Sequence, residues 1–431
     1  MKLVGLKMEY LNQKNNLQIY LSKIQYLFFI VFILCIPFQD FGLQGTFLGY
    51  FGMNLSNVPL MGLIVIAFLK FLLGESINKR VFMFYSWLLV YIIGYSLLMV
   101  IIYDNSYFNI LYIYKICSNF IILMFWIFAY VYTKKYADRI GKYIILSNLI
   151  HISGWILCDI MQIDLGNIIH YVNNIGYSRY HGFTFESSYF CFTAVILGVL
   201  SIYYIKNKII KIIFCLFILI FIIFGGSKGT LACTLISLYF YIILSKKYNF
   251  GIKFILLIGT ILISFLGIYY ILLNSFLLDL EESTSFASRF SSILSIFYIL
   301  CDYPLGTGFG IFIPIFKLAV VNAFDLLNGY IPGIVLGYEE VDGWINNADG
   351  KGAIIRSIVV QFMAYWGIPF IICFVYYIKY MIKSIVLYDK YLWLFIFIMC
   401  GLLTFAGFNY DSIIALAIIY SETQNKKDGI K

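Results

Sequence analysis

A succession of long apolar runs, separated by short charged or glycine- and asparagine-containing breaks, constrains this chain more than any other feature. A helix that crosses a bilayer needs about 20 mainly apolar residues. Runs of about this size span approximately 25–41, 55–73, 81–102, 110–132, 143–161, 183–205, 209–225, 229–244, 254–278, 353–378 and 391–421. The last is too long for one crossing and is interrupted at 407–411, so we divide it into two short helices. The sequence therefore predicts an all-α polytopic membrane protein with about 12 transmembrane helices.

The composition excludes an ordinary water-soluble enzyme. Hydrophobic residues make up 62% of the chain and charged residues only 12%, against about 25% charged residues in a soluble domain. The formal net charge of +9 does not indicate nucleic acid, because basic residues concentrate on the cytoplasmic side of membrane proteins. The lipid bilayer is the partner that the composition predicts.

Lysine and arginine positions predict the orientation. With the N-terminus inside and the helices alternating, 23 of the 30 basic residues fall on the inner side, as the positive-inside rule requires. This indicates a cytoplasmic (inner) membrane protein with both termini in the cytoplasm. The predicted divisions are a cytoplasmic tail 1–24, helices 1–9 over 25–278, an extracytoplasmic segment 279–352, helices 10–12 over 353–421 and a cytoplasmic tail 422–431.

The outer segment between helices 9 and 10 contains nine acidic and three basic residues. A structureless connection of that length is uncommon and is usually functional. Two stretches within it, Phe286 to Phe297 and Ile315 to Leu327, have apolar residues at helical spacing. They predict amphipathic helices that lie on the outer membrane surface or cap a cavity. Between them, the sequence PLGTGFG at 304–310 predicts a tight glycine turn.

Metal and cofactor motifs are not apparent in the sequence. The nine cysteines are scattered without a C-x-x-C pair and lie mainly in apolar runs, which predicts small buried hydrophobic residues. The three histidines form no H-E-x-x-H pattern, and there is no P-loop. We therefore expect neither a metal ion nor a cofactor.

Arginine is over-represented among the seven basic residues that this topology leaves outside. Three of the five arginines are there, namely Arg179, Arg289 and Arg356. The planar guanidinium binds phosphate or carboxylate through two parallel hydrogen bonds, so these positions are candidates for anion binding. Alternatively, these arginine side chains only reach the lipid headgroups. For Arg289, the alternative is that it anchors an amphipathic helix at the membrane interface.

Two further motifs carry candidate residues. In the pattern R-x-x-G-x-x-x-E, a helix from about Phe183 would put Glu186 in its first turn, where the helix dipole favours a carboxylate. Glu186 is then either a capping acid paired with Arg179 or a general base beside it. In GGSKGT at 225–230, Lys228 and the N–H groups of a helix start suit an anion. A plain hairpin turn that carries a lysine is the alternative.

The order of these motifs, followed by S-R-F at 288–290, D-Y-P-L-G-T-G-F-G at 302–310 and Y-W-G-I-P at 365–369, resembles the bacterial O-antigen polymerase and ligase superfamily. The resemblance implies a GT-C-type glycosyltransferase at the outer face of the membrane. Its donor would be a glycan chain on undecaprenyl diphosphate, and its acceptor a sugar hydroxyl of a lipid-linked repeat unit. Family members usually have arginine where this chain has Lys228. Ligases typically have a histidine near the end of the outer loop, and 279–352 contains none, which favours the Wzy-type polymerase.

The resemblance also implies roles for individual residues. The substrate diphosphate would be bound by Arg179, Arg289, Lys228 and Arg356, without a metal ion. Glu186 would be the general base, with Glu281, Glu282 and Glu339 as rivals. Outer aromatic residues would either stack on sugars or belong to an interfacial aromatic belt, namely Tyr303, Tyr330, Tyr338 and Trp344. A chain-length regulator is a further expected partner. The alternatives are an O-antigen ligase, a flippase or transporter of lipid-linked oligosaccharide, and a membrane acyltransferase.

Overall fold

The computed structural model describes residues 2–39, 54–74, 79–103, 110–163, 180–184, 186–262, 265, 284–330, 338–346, 355, 357–386, 389–407 and 409–429. Across these residues the chain forms fifteen α-helices and no strand, apart from an isolated bridge between Gln39 and Asn54. The all-α prediction is confirmed. The helices are α1 (Lys2–Leu34), α2 (Asn57–Leu72), α3 (Lys79–Tyr103), α4 (Ile110–Tyr136), α5 (Gly141–Trp155), α6 (Ser187–Tyr204), α7 (Lys208–Phe224), α8 (Lys228–Leu244), α9 (Phe250–Leu262), α10 (Thr284–Asp302), α11 (Phe312–Tyr330), α12 (Glu339–Asn346), α13 (Ile358–Ile385), α14 (Leu392–Thr404) and α15 (Tyr410–Gly429).

Seven helical segments within the described ranges are long and apolar enough to cross a membrane. They are Asn16–Leu34, Tyr85–Tyr103, Tyr112–Arg139, Gly141–Ile160, Ser187–Tyr204, Phe312–Gly329 and Ile358–Ile385. Four shorter apolar helices, α2, α8, α9 and α14, accompany them. The two stretches of the predicted outer segment that have an amphipathic pattern are both helical, in α10 and α11. Most of α11, Phe312–Gly329, is also one of the seven helical segments that are long and apolar enough to cross a membrane.

The first of two compact units comprises Met1–Ser86, Leu123–Thr230 and Asn409–Lys431. Its central helix is α6, which packs against α5, α7 and α15. Because α6 is apolar on all sides, it is buried among other helices and does not lie at a surface. Gly198 lets α7 approach closely, since a Cβ there would lie 2.6 Å from the Ile218 side chain.

The second unit comprises Trp87–Ile122 and Leu231–Phe408. Within it, α10 packs against α11 and α13 and carries buried serines at 288, 291, 292 and 295. The hydroxyls of Ser291, Ser292 and Ser295 donate to main-chain carbonyls one turn earlier at 2.7–3.1 Å. These small side chains satisfy their own hydrogen bonds and leave α10 slim enough to pack closely.

The glycine turn predicted at 304–310 is confirmed, with Gly306 at φ 90° and Gly308 at φ 65°. It packs against a kink in α13 at Gly367, whose φ of 57° and ψ of −147° interrupt the helix. Three main-chain hydrogen bonds of 2.9 Å join turn and kink: Thr307 N to Ala364 O, Gly308 N to Tyr365 O, and Ile368 N to Pro304 O. Because the kink interrupts the helical hydrogen bonds of α13, the carbonyls of Ala364 and Tyr365 accept from N–H groups of the glycine turn instead.

All nine cysteines are free, but the prediction that they are generally buried is wrong. Only Cys191 and Cys233 are buried, whereas Cys117, Cys215, Cys301 and Cys373 are exposed. The reason is that an apolar helix face that contacts lipid tolerates cysteine as readily as a protein core does.

Candidate functional site

Two of the predicted motifs meet in the first unit, at the starts of α6 and α8. Glu186 is the residue before α6 and has extended backbone, while α8 begins at Lys228 after a turn in which Gly226 has a φ of 74°. The Thr230 hydroxyl donates to the Ser188 carbonyl at 3.5 Å, so the first turns of the two helices are in contact. Helix starts carry unpaired N–H groups and positive partial charge, which makes this region suitable for an anion.

The environment of Glu186 differs from the predicted one. The expected helix start near Phe183 is wrong, because α6 begins at Ser187. Gly182 has a φ of 52°, and Thr184 N donates to His181 O at 2.9 Å, so a turn occupies the preceding residues. The Glu186 side chain forms no capping hydrogen bond to the start of α6. Instead, the Ser188 hydroxyl donates to Glu186 Oε2 at 3.0 Å, which orients a partly exposed carboxylate.

The Lys228 motif forms the predicted turn and helix start. Ser227 is buried, and its hydroxyl donates to Thr230 Oγ1 at 2.8 Å and accepts from Thr230 N at 3.2 Å. This is the geometry of a serine that caps the following helix. Lys228 itself is exposed. The turn therefore presents a lysine beside the first N–H groups of α8.

Asp159 and His181 complete the site and were not among the predicted site residues. The α5 helix ends in a π-turn, Ile156–Ile160, which brings the Asp159 carboxylate to the main chain before α6. His181 N and Gly182 N both donate to that carboxylate, at 2.9–3.2 Å. The sequence does contain a signal for Asp159. It is an acidic residue near the end of an apolar run, where burying an ionisable side chain is energetically unfavourable.

An apolar cluster supports this arrangement from one side. Trp155 packs edge-on against Phe221 and Tyr180, with ring centroids 5.2 and 5.6 Å apart. A Cβ on Gly182 would lie 2.7 Å from the Phe190 ring, so only glycine fits there. The turn before α6 is therefore held by packing as well as by Asp159.

The remaining predicted site residues lie in the second unit or outside the described residues. Arg289 is in the second unit, on α10, and is partly buried next to the buried Ser288. Arg179, Arg356, Glu281 and Glu282 lie outside the described residues. Within the described ranges, no three His, Cys, Asp or Glu side chains are grouped so as to hold a metal ion.

The aromatic residues expected to stack on sugars differ in exposure. Trp344 is only 4% exposed and packs against Phe316, with ring centroids 5.9 Å apart. Its ring is therefore part of the core of the second unit and is not exposed for stacking on a sugar. Tyr338 is 38% exposed and packs edge-on against Phe324. Tyr303 is half-buried, and the Tyr330 side chain lies outside the described part of the chain.

A protein of Klebsiella pneumoniae described as "Uncharacterized 49.5 kDa protein in cps region" is 25% identical to this chain over 361 residues. The similarity covers 83% of this chain and 82% of that protein. No protein-family profile matches the chain. No solved structure matches it either.

Proposed function

We propose that this chain is a polymerase of a cell-surface polysaccharide of the capsule or O-antigen type. It would transfer a glycan chain from undecaprenyl diphosphate to a lipid-linked repeat unit at the outer face of the cytoplasmic membrane. The cps region of the related protein supports a role in capsule polysaccharide biosynthesis, and the seven long apolar helices support a membrane location. A GT-C-type arrangement of about 12 spans, with both termini cytoplasmic, is part of the proposal.

The observation that carries the proposal is the meeting of Glu186 and the Lys228 turn at adjoining helix starts. In the reaction, the acceptor hydroxyl attacks the anomeric carbon and gives its proton to Glu186 as general base. The bond between that carbon and the diphosphate oxygen breaks, and negative charge grows on the leaving diphosphate lipid. Lys228 and the nearby N–H groups of α8 would stabilise that charge. Binding of the substrate diphosphate by Arg179, Arg289 and Arg356, which the resemblance implies, is a separate part of the proposal.

Polymerase is favoured over two related functions by sequence features. The outer segment 279–352 has no histidine of the kind that ligases carry. Transporters often show internal repeats, and no repeat relates the two halves of this sequence. A chain-length regulator would act as a partner in the cell.

The surface glycan of a deletion strain tests the proposal. We expect gel electrophoresis to show surface glycan reduced to single repeat units, with polymer restored by the wild-type gene. Polymer accumulating on its lipid carrier would indicate a ligase, and repeat units trapped inside the cell would indicate a flippase. Purified protein in proteoliposomes should then extend undecaprenyl-diphosphate-linked repeat units.

Conservative replacement of the arginines tests their proposed role. Arg179→Lys and Arg289→Lys should each lower polymerisation by about 10- to 100-fold although the charge is kept, because lysine cannot form the two parallel hydrogen bonds of a guanidinium. Chain extension in proteoliposomes is the measurement. Arg139→Lys, outside the proposed site, is the matched control and should behave as wild type. Full-length polysaccharide from both site variants at normal protein levels would refute diphosphate binding by these arginines.

A further inference from the structure

The His181 side chain faces hydrogen-bond acceptors at both ring nitrogens. Its Nε2 atom lies 3.5 Å from Asp159 Oδ1, and its Nδ1 atom lies 3.1 Å from Gly182 O. Both side chains are largely buried, at 10% and 5% exposed. The ring is therefore held between the Asp159 carboxyl group and the main chain of its own turn.

Asp159 is positioned for this contact by an irregular helix end. A π-turn within an α-helix is rare and frequently marks a functional site, and here it spans Ile156–Ile160. The carboxylate accepts from His181 N and Gly182 N, so the same acidic group binds the main chain and faces the imidazole. Burial opposes the negative charge of Asp159, and the two main-chain N–H donors offset part of that cost.

The contact is connected to Glu186 through Thr184. The Thr184 hydroxyl donates to His181 O at 2.8 Å and contacts Glu186 O at 3.1 Å. The turn from His181 to Glu186 is thus fixed at one end by Asp159 and bridged at the other by a single hydroxyl. A change at Asp159 or His181 would alter the position of the Glu186 main chain.

We propose that Asp159 and His181 form a clamp that positions Glu186 at the start of α6. The clamp makes His181 a positioning residue, and its importance for turnover rests on the function proposed above. Loss of either side chain would loosen the turn that leads to Glu186.

Histidine NMR tests the clamp independently of any activity, because the chain has only three histidines. Protein labelled with 15N-histidine would be studied in detergent micelles, and the signals assigned with His151→Gln, His170→Gln and His181→Gln. We expect Asp159→Asn to move the ring signals of His181, which lies against Asp159, more than those of His151, whose ring contacts Phe190 O instead. Asp159→Glu serves the same purpose if Asp159→Asn does not fold. His181 signals that move in neither variant would overturn the proposal.

The separate effects on kcat and KM of chain extension test the positioning role. His181→Gln should lower kcat by up to about 100-fold with little change in KM. Asp159→Glu, which keeps the carboxyl group, should retain more activity than Asp159→Asn. A His181→Gln enzyme with the wild-type kcat would contradict positioning, and a wild type inactive on every lipid-linked repeat unit would instead refute the proposed function.

Discussion

Glu186→Gln is expected to lower the rate of chain extension by about 100- to 10,000-fold, the usual contribution of a general base. The amide has nearly the same shape as the carboxylate but does not take up a proton at neutral pH. The Ser188 hydroxyl, which donates to Glu186 Oε2, can still donate to the amide oxygen, so the start of α6 should be preserved. Polymer formation in proteoliposomes measures the effect, and protein level and thermal unfolding in detergent confirm that the variant is folded.

Two variants separate base catalysis from a structural role of Glu186. Glu186→Asp keeps the basic group but shortens its reach, so it should retain more activity than Glu186→Gln. Glu422→Gln, on α15 and away from the site, is the isosteric control and should behave as wild type. Normal turnover by Glu186→Gln would mean that the carboxylate only supports the helix start. The general base would then be sought among Glu281, Glu282 and Glu339.

The parts of the fold that depend on local sequence could be predicted. Long apolar runs give helices because a bilayer-length run must satisfy its backbone hydrogen bonds internally, and helices are present in the described parts of these runs. The turns at Gly226 and at Gly306–Gly308 were also predicted, since each contains the glycine that its positive φ requires. In such segments the residues that determine the conformation are next to one another.

The parts that depend on distant contacts could not be predicted. Asp159 contacts residues more than twenty positions further along the chain, and only the π-turn directs its side chain there. The turn at His181 and Gly182, before the start of α6 at Ser187, depends on the same contact. The apolar run, which begins at about 183, therefore predicted too early a helix start. Trp344 was expected to be available for sugar stacking because it lies in the predicted outer segment 279–352, but it is buried and packs against Phe316 on another helix. The roles of the arginines remain predictions for the same reason.

Gly367→Ala is expected to cost about 3 kcal/mol or more of stability. The Gly367 conformation, φ 57° and ψ −147°, is one that residues with a Cβ rarely adopt. An added Cβ would also lie 2.2 Å from Pro304 O and 2.5 Å from Gly306 N. Because these are main-chain atoms of the glycine turn, no side chain can rotate away to relieve the contact. The turn and the kink would have to separate, with loss of the hydrogen bonds that join them.

Gly94→Ala provides the matched control in the same unit. Gly94 lies in α3, and an added Cβ there would have no atom within 4 Å from the described residues outside its own helix backbone. Alanine should therefore leave stability unchanged or raise it by up to about 1 kcal/mol. The midpoint of thermal unfolding in detergent should therefore fall clearly for Gly367→Ala and not for Gly94→Ala. Equal midpoints would mean that the kink is not needed to hold the turn. A lowered midpoint for Gly367→Ala alone would show that the joined turn and kink stabilise the second unit. If chain extension falls only in proportion to the amount of folded protein, the molecules that remain folded are catalytically intact. The role of the kink is then in stability and not in catalysis.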